Sequence, residues 1–499
     1  MKLFFPLILA MASALAQAPV LSPLEQKIVR SMSADTLKGH VSFLASDALE
    51  GRDTPSKGLE VAAEYIASQF RRFGVEPAGN EGYFQTASFG RITPVTEGFE
   101  FTLTAGAESF AVSKDSVALD VMGGAEIDRA PVLKVRLGAD PPSFRAEDVR
   151  GKAVVAAMPD FQKVAAEDRR KSYQRLMRDR KSLIDGQPAL VIITESMGGG
   201  GNRLRDLSET TPPQVTIRDE ALRKKIAEWP VGPVDAAVTA KIPKPAAQSV
   251  KLANVIGIVR GGDPALKDSY VLITSHYDHI GMQANGEDRI NNGANDDASG
   301  TATVLQLAET FARLGVKPRR SIVFIAYFGE EKGLLGSRYY AEHPVFPLAK
   351  TVADLNLEHM GRTDDNEGPQ LRRLAVTGMD YSNVGDVLKA AGLKTGVEVW
   401  RHAKNSDMFF SASDNQALAD AGIPSHTLSV AYIFPDYHRP GDHWDKLDYK
   451  NMQQVAGTTA LAAWSMANSS KAPAWSPANE KAQKYLSAWK ALHANSKSN

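Results

Sequence analysis

The pattern of apolar and polar positions changes twice along the chain. Near the N-terminus it has helical spacing over 24–44 and again over 58–73, where Gly74 follows as a helix stop. From about 91 to 247 it changes to short apolar runs separated by proline and glycine, which are typical of β-strands. Beyond 252, strand-like runs alternate with a helical pattern. This alternation predicts an α/β fold in which helices cover both faces of a sheet.

The first residues predict a secretory signal peptide over 1–16. Lys2 precedes a short apolar run, and Ala14-Leu15-Ala16 forms a small-x-small cleavage pattern. The apolar run is shorter than the ~20 residues that a bilayer requires. No later segment of the sequence is long and apolar enough to span a membrane. We therefore expect a secreted or periplasmic protein without a membrane span.

The charge balance argues against nucleic acid as a partner. Lys plus Arg and Asp plus Glu both number 58, so the chain has no net charge to attract a polyanion. A charged helix is predicted over 163–183, but acidic residues interrupt its basic ones, and we interpret it as a solvated face. Gly198–Gly201 lacks the Lys-Ser/Thr of a phosphate-binding loop, and we interpret it as a plain loop.

The residue counts also narrow the possible chemistry. None of the 499 residues is cysteine, which excludes thiolate catalysis, disulfides and Cys-ligated metals. Any metal site must therefore use His, Asp and Glu. Eight of the ten histidines lie between His276 and His443, which indicates a single functional region.

Two clusters of acidic and histidine residues lie in this region, one at the end of a predicted strand and the other at the start of a predicted helix. His276 and Asp278 follow a strand-like run two positions apart, so an extended chain points them the same way. A carboxylate beside a metal-bound imidazole fixes its tautomer, although a structural histidine at a strand end is the alternative. Asp296 and Asp297 open the next helix. Both suit helix capping, and Asp297 could cap the helix while Asp296 faces a metal.

Further clusters follow later apolar runs. Glu330 and Glu331 come directly after Ser321–Phe328, where paired carboxylates are unfavourable unless a metal or other partners compensate them. A solvated turn is the alternative. Glu358 follows another apolar stretch, and His438 lies in a later loop. Open α/β sheets form active sites at the carboxyl ends of their strands. Two histidines and three carboxylates suit Zn²⁺ better than Mg²⁺ or Ca²⁺.

In their order along the chain, these clusters resemble the secreted di-zinc aminopeptidases of the aminopeptidase Y type, whose relatives include glutamate carboxypeptidase II and the transferrin receptor. The resemblance covers nearly the whole mature chain and includes Ser46–Gly51, Ala421–Pro424 and Tyr437–Tyr449. It implies a zinc-peptidase fold, with a mixed β-sheet covered by helices on both faces and a β-rich protease-associated domain inserted over 91–247. Asp148–Val155 is similar to the core of that inserted domain.

The resemblance also implies a domain division and site roles. The peptidase domain would be split into 19–90 and 248–467, followed by a linker and C-terminal helix over 468–499. Five residues are implied as ligands of two Zn²⁺ ions, with the aspartate bridging them: His276, Asp296, Glu331, Glu358 and His438. Three residues are implied in catalysis: Asp278 to orient the first histidine, Glu330 as general acid/base and Tyr437 to stabilise the oxyanion.

The implied reaction is removal of N-terminal residues from peptides by a hydroxide that bridges the two metals. A carboxypeptidase or dipeptidase with the same metals is an alternative, for which Arg362 and Arg401 are candidate readers of a substrate carboxylate. A binding protein with a decayed site, as in the transferrin receptor, is a further alternative. It is disfavoured because every ligand position carries a competent side chain.

Two departures from the family leave the fine substrate specificity open, and the sequence does not reveal the oligomeric state. Glu358 stands where relatives often have Asp, and His359 beside it is a further candidate ligand. Asn415 stands where relatives often have His, near the expected substrate pocket.

Overall fold

The computed structural model describes residues 20–159, 164, 169–194, 203–208 and 210–495. The expected signal peptide and the Gly198–Gly201 loop lie outside these residues. Among the described helices, none is both long and apolar enough to cross a membrane.

Helices dominate both ends of the described chain, and strands dominate the stretch between α3 and α6. The helices of the described residues are α1 Pro23–Arg30, α2 Ala34–Leu44, α3 Lys57–Phe73, α4 Arg169–Asp185, α5 Glu220–Glu228, α6 Ser299–Ala312, α7 Leu335–Glu342, α8 Val384–Thr395, α9 Asn405–Met408, α10 Asn415–Asp420, α11 Tyr449–Asn468 and α12 Gln483–Asn495. The strands are β1 Glu76–Pro77, β2 Phe84–Thr93, β3 Glu100–Ala105, β4 Glu108–Ala111, β5 Val117–Asp120, β6 Ala125–Arg136, β7 Ala153–Ala157, β8 Leu190–Ile193, β9 Arg203–Asp206, β10 Gln214–Ile217, β11 Gly232–Ile242, β12 Ala246–Val259, β13 Tyr270–His276, β14 Ser321–Tyr327, β15 Thr351–Leu357, β16 Asp364–Asp365, β17 Gly368–Pro369, β18 Arg373–Val376, β19 Glu398–Trp400 and β20 Ser425–Ser429.

The N-terminal helical pattern forms two helices rather than one. The break between α1 and α2 falls at Ser33, whose hydroxyl accepts the N–H of Thr36 and so begins a new helix. Helix α3 ends at Gly74 with φ +80°, as its glycine stop predicts.

The described residues form two compact units, which meet in sequence at Ala87/Ser88 and at Lys251/Leu252. We call 20–87 with 252–495 the split unit and 88–251 the second unit. The second unit contains an eight-stranded sheet in the order β4-β3-β11-β6-β7-β8-β10-β5. Its core is mostly aliphatic and includes Leu103, Val155 and Ile192.

The split unit has a mixed sheet, which includes the run β19-β18-β20-β15-β13-β14-β12. Strand β13 is parallel to β14 and β15, and β15 is parallel to β20. Strands β12 and β18 flank these four strands and run antiparallel to their neighbours β14 and β20. All seven residues of β13 and of β14 are buried, as expected for parallel strands covered on both faces.

Packing along β14 shows the two covered faces. Val323 and Ile325 belong to a cluster with Tyr340 of α7. Between them, Phe324 points the other way and stacks with Phe311 of α6, at 6.4 Å between ring centroids. Alternate side chains thus face opposite helix layers. The predicted α/β class, a mixed sheet with helices on both faces, is confirmed.

Candidate metal centre

The four parallel strands β20-β15-β13-β14 end at one edge of the sheet, and this edge carries the expected chemistry. His276 is the last residue of β13, Glu330 and Glu331 follow β14, and Glu358 follows β15. The chain leaves β13 through α6 to reach β14 on one side, whereas β15 leads on to β20 on the other. The strand order therefore reverses between β13 and β15, which opens a crevice at their carboxyl ends.

Side chains at this edge form two donor groups, defined by ligand atoms that all lie within 4.8 Å of one another. The four-donor group consists of His279, Asp296, Glu331 and His438. The three-donor group consists of His276, Asp296 and Glu358. Asp296 belongs to both groups. The structure thus brings together all five residues expected as ligands and adds His279 to them.

The two oxygens of Asp296 face different groups. Its Oδ1 lies 3.4 Å from Nε2 of His276, and its Oδ2 lies 3.1 Å from Nε2 of His438. The carboxylate is 3% exposed. A single buried carboxylate that points one oxygen at each of two imidazoles has the arrangement of a group shared between two cations.

Buried polar atoms at the centre lack well-formed hydrogen bonds. Among the described residues, neither Nε2 of His276 nor Oδ2 of Asp296 makes one. The 3.1 Å contact of Oδ2 with His438 does not have hydrogen-bond geometry. Buried polar atoms are normally paired, and a cation between these atoms would satisfy them. Imidazole and carboxylate donors in groups of three and four suit a zinc ion.

Opposed electrostatic effects act on the carboxylates. Burial disfavours the charged form of Asp296, but its polar contacts with the imidazoles of His276, His359 and His438 hold its pKa well below the usual range. Burial raises the pKa of Glu330 well above the usual range. The centre therefore contains carboxyl groups with opposite protonation preferences, which is a frequent property of catalytic sites.

Asp278 lies behind the three-donor group and is fully buried. Its Oδ1 is 3.5 Å from Nδ1 of His276 and accepts the backbone N–H of Glu330 at 3.1 Å. Its Oδ2 accepts the hydroxyl of Thr54 at 3.0 Å. Asp278 thus connects the end of β13 to the turn after β14.

The loop before α6 presents Asp296 through backbone contacts. The carboxylate of Asp442 accepts the N–H groups of Asn295 and Asp296. Asp297, which precedes the N-cap residue Ala298, accepts the N–H of Gly300 in the first turn of α6 at 2.9 Å. Of the two adjacent acids, one binds a backbone N–H at the helix start and the other belongs to both donor groups.

Arg52 links the loop before α6 to the end of β13. The sequence pattern did not reveal this role of Arg52. Its guanidinium is fully buried and donates to the carbonyls of Tyr277 at 2.8 Å, Asn292 at 2.8 Å and Gly293 at 3.0 Å. Burial lowers its pKa to about 10, against the raising effect of nearby carboxylates such as Asp278. An arginine in a turn normally lies in solvent, and only the packing of this turn against the centre buries it.

We expect Arg52→Met to lower the free energy of unfolding by about 3–5 kcal/mol, because several buried carbonyls lose their donor and buried acids lose a nearby cation. Urea unfolding followed by circular dichroism measures the change. The matched control is Arg260→Met, since Arg260 is half-exposed and pairs with Glu76 at the surface. That control should change stability by less than about 1 kcal/mol. Equal effects of the two variants would contradict this role of Arg52.

A cavity of about 180 Å³ lies beside the three-donor group. Its lining consists of Glu358, His359, Thr377, Phe409, Ala412, Ser413, Thr427, Ser429, Tyr432, Ile433 and Tyr437. Tyr437 is 41% exposed and stacks on His438 at 3.9 Å between ring centroids. The expected oxyanion tyrosine thus lies between the cavity and the four-donor group.

The candidate ligand His359 and the unusual Asn415 occupy distinct places. Nε2 of His359 lies 3.6 Å from Asp296 and 3.8 Å from Glu358, but His359 belongs to neither donor group. Asn415 is fully buried, donates to the carbonyl of Phe410 and accepts the hydroxyl of Thr427. Because Thr427 lines the cavity, Asn415 supports the cavity wall from behind.

The part of the chain that forms this centre is similar in sequence to known peptidases. Residues 254–463 match the sequence model of Peptidase family M28. The matched region belongs to peptidase family M28. It contains every member of both donor groups, together with Glu330 and Tyr437. The predicted relationship to zinc aminopeptidases and to glutamate carboxypeptidase is confirmed at the level of this family.

Several known proteins are similar to parts of the chain. A "Probable zinc metalloprotease" of Pyrenophora teres f. teres is 28% identical over 241 residues, which are 45% of this chain and 50% of the relative. "Aminopeptidase YwaD" of Bacillus subtilis is 27% identical over 228 residues, which are 44% and 46% of the two chains. The match thus spans at most half of these relatives. The solved "Aminopeptidase from Aneurinibacillus sp. strain AM-1" is 21% identical with a TM-score of 0.48, over 88% of this chain and 95% of that one.

Proposed function

We propose that this protein is a zinc-dependent exopeptidase that removes N-terminal residues from peptides. The observation that carries this proposal is the single carboxylate of Asp296 shared between two donor groups, with a cavity beside them and Glu330 in electrostatic contact with His276, Glu358 and Glu331. The names of curated relatives, which include zinc metalloproteases and an aminopeptidase, support the same reaction class. The full set of donors counts against a decayed binding protein.

Two zinc ions would be held by the three-donor group and the four-donor group, with Asp296 as the bridge. Bound zinc lowers the pKa of a coordinated water and polarises a carbonyl oxygen. Asp278 lies 3.5 Å from Nδ1 of His276 and would fix the orientation and tautomer of that ring.

Glu330 is the proposed general acid/base. It belongs to neither donor group, yet its neighbour Glu331 does, and its backbone N–H is held by Asp278. A carboxylate in this place can accept the proton of the attacking water and deliver it to the leaving amine. The hydroxyl of Tyr437, at the rim of the cavity, would donate a hydrogen bond to the developing oxyanion.

The charges around the cavity favour a free amino group over a free carboxylate as the substrate's recognised end. Glu358 lines the cavity and is a negative partner for an ammonium group. The two candidate carboxylate readers already have acidic partners. Arg362 pairs with Asp364 and Asp436, and Arg401 pairs in the same way with Asp380 and Asp407. The volume of the cavity, below the ~300 Å³ of typical drug-sized pockets, suits one side chain.

The test is hydrolysis of short peptides with either terminus blocked. We expect cleavage of C-blocked peptides, no cleavage of N-acetylated ones, loss of activity with a chelator and recovery on zinc addition. The expected preference is for uncharged N-terminal side chains, because the cavity lining is uncharged apart from Glu358 and His359. Faster cleavage of N-blocked peptides would instead indicate the carboxypeptidase alternative, and cleavage confined to dipeptides with both termini free would indicate the dipeptidase alternative.

We propose that 88–251 is a protease-associated domain, since Asp148–Val155 is similar to the core of such domains and the unit is rich in strands. We also propose that the protein is exported by means of the segment 1–16. Mass spectrometry of the N-terminus of the exported protein tests the cleavage site.

A further inference from the structure

The two donor groups differ in their number of donor residues, four against three, and the additional donor is His279. This residue lies three positions after His276, beyond the end of β13. The family resemblance assigns no role to it. Its side chain is fully buried, so it is not a surface histidine that happens to lie near the centre.

The ring of His279 is held in a fixed place. Its backbone N–H donates to the carbonyl of Arg52 at 3.2 Å. On the other side, Gly293 approaches the ring so closely that a Cβ there would come within 2.6 Å of it. The ring also meets that of His438 edge-on, at 5.6 Å between centroids. These contacts direct Nδ1 toward Glu331 and Asp296.

Four of the six distances between the donor atoms are close to the edge length of a tetrahedral zinc site. Nδ1 of His279 lies 2.9 Å from Glu331 and 3.8 Å from Asp296. Nε2 of His438 lies 3.1 Å from Asp296 and 3.3 Å from Glu331. Four ligands bound tetrahedrally at about 2.0–2.1 Å from zinc are roughly 3.3 Å apart. The four observed distances lie on both sides of that value.

We propose that His279 is a fourth protein ligand, which makes the four-donor group a closed zinc site, whereas the three-donor group is the open one. Structural zinc sites have four protein ligands, and catalytic sites keep a position free. The open group is also the one that adjoins the cavity through Glu358. This inference rests on the proposed function only in so far as the centre binds zinc.

The competing role for His279 is that of an orienting residue. With its proton on Nδ1, the ring would donate a hydrogen bond to Glu331 at 2.9 Å and bind no metal. The two roles predict different numbers of imidazole ligands on the zinc ion of the four-donor group. They also predict losses of affinity of different size, because removal of an orienting partner typically costs about 10–100-fold.

The deciding experiment is X-ray absorption spectroscopy of the full chain loaded with one equivalent of zinc. We expect the first ion to occupy the closed group and to have two imidazole ligands. His279→Ala should reduce this number to one and weaken binding of the first zinc by more than about 100-fold in chelator competition. The matched control is His443→Ala, whose half-exposed ring pairs with Asp288 outside both groups. This control variant should change neither the number of imidazole ligands nor the affinity for the first zinc.

An average of one imidazole per zinc in the wild-type protein loaded with two equivalents would overturn the inference, because His276 and His438 alone account for that number. This result does not depend on whether the variant folds. A loss of affinity within about 100-fold, with an unchanged imidazole number, would assign the orienting role to His279 instead. Failure of the proposed function looks different. A chain that binds no zinc contradicts both proposals, whereas a two-imidazole site without aminopeptidase activity contradicts only the proposed function.

Discussion

Glu330→Gln is expected to lower kcat by about 10²–10⁴-fold while zinc content and affinity stay unchanged. The substitution keeps the shape of the side chain but removes its capacity to accept and deliver a proton, which is the contribution of a general acid/base. Glu330 is outside both donor groups, so metal binding should not depend on its charge. Steady-state kinetics and elemental analysis of the same preparation measure the two effects.

The adjacent Glu331 provides the matched control. Glu331→Gln should reduce zinc affinity, because Glu331 belongs to the four-donor group and contacts both of its histidines. Glu330→Asp should restore part of the activity, since it returns a carboxylate on a shorter side chain. Near-full kcat in Glu330→Gln, or loss of zinc from that variant, would show that the assignment is wrong.

The second large effect is expected for Asp296→Asn, which should release zinc from both donor groups and reduce activity to background. Asp296 is the one residue common to the two groups that the described chain forms. Asparagine has nearly the same volume but carries no charge, so it is a poor bridge between two cations. Elemental analysis and titration with zinc give the number of ions bound.

The neighbouring Asp297 separates this effect from damage to the loop. Burial raises the pKa of Asp297 well above the usual range, and its Oδ1 accepts backbone N–H groups rather than facing a donor group. Asp297→Asn should therefore keep both zinc ions. If Asp296→Asn retained two ions and substantial activity, the bridging assignment would be refuted.

The fold class was predictable because it depends on local periodicity. The buried parallel strands β13 and β14 are continuous apolar runs, and the helix between them has its own spacing, so each element could be recognised within its own segment. The same reasoning missed the break between α1 and α2. At that position the side chain of Ser33 caps a new helix, although the helical spacing of apolar residues continues across it.

Predictions about the centre depended on a different kind of signal. His276 ends a strand, Glu331 and Glu358 each follow one, and parallel strands place their carboxyl ends at one edge. Their convergence was therefore predictable once the strands were recognised. His279 was not predicted, since the family resemblance assigns no role to it, although its place in the Asp278-His279 pair was a usable signal.

The sequence by itself determined the elements of the α/β fold, the kinds of donor and the strand ends that present them, because these depend on residues close together in the chain. Only the tertiary structure decided which donors share a group, that Asp296 faces both groups, and that Arg52 is buried behind them. Each of these is a distance between segments brought together by crossovers and loops. Arg52 and Gly293, for example, are separated by 241 residues. Local pattern contains no information about such distances, which packing and buried hydrogen bonding determine.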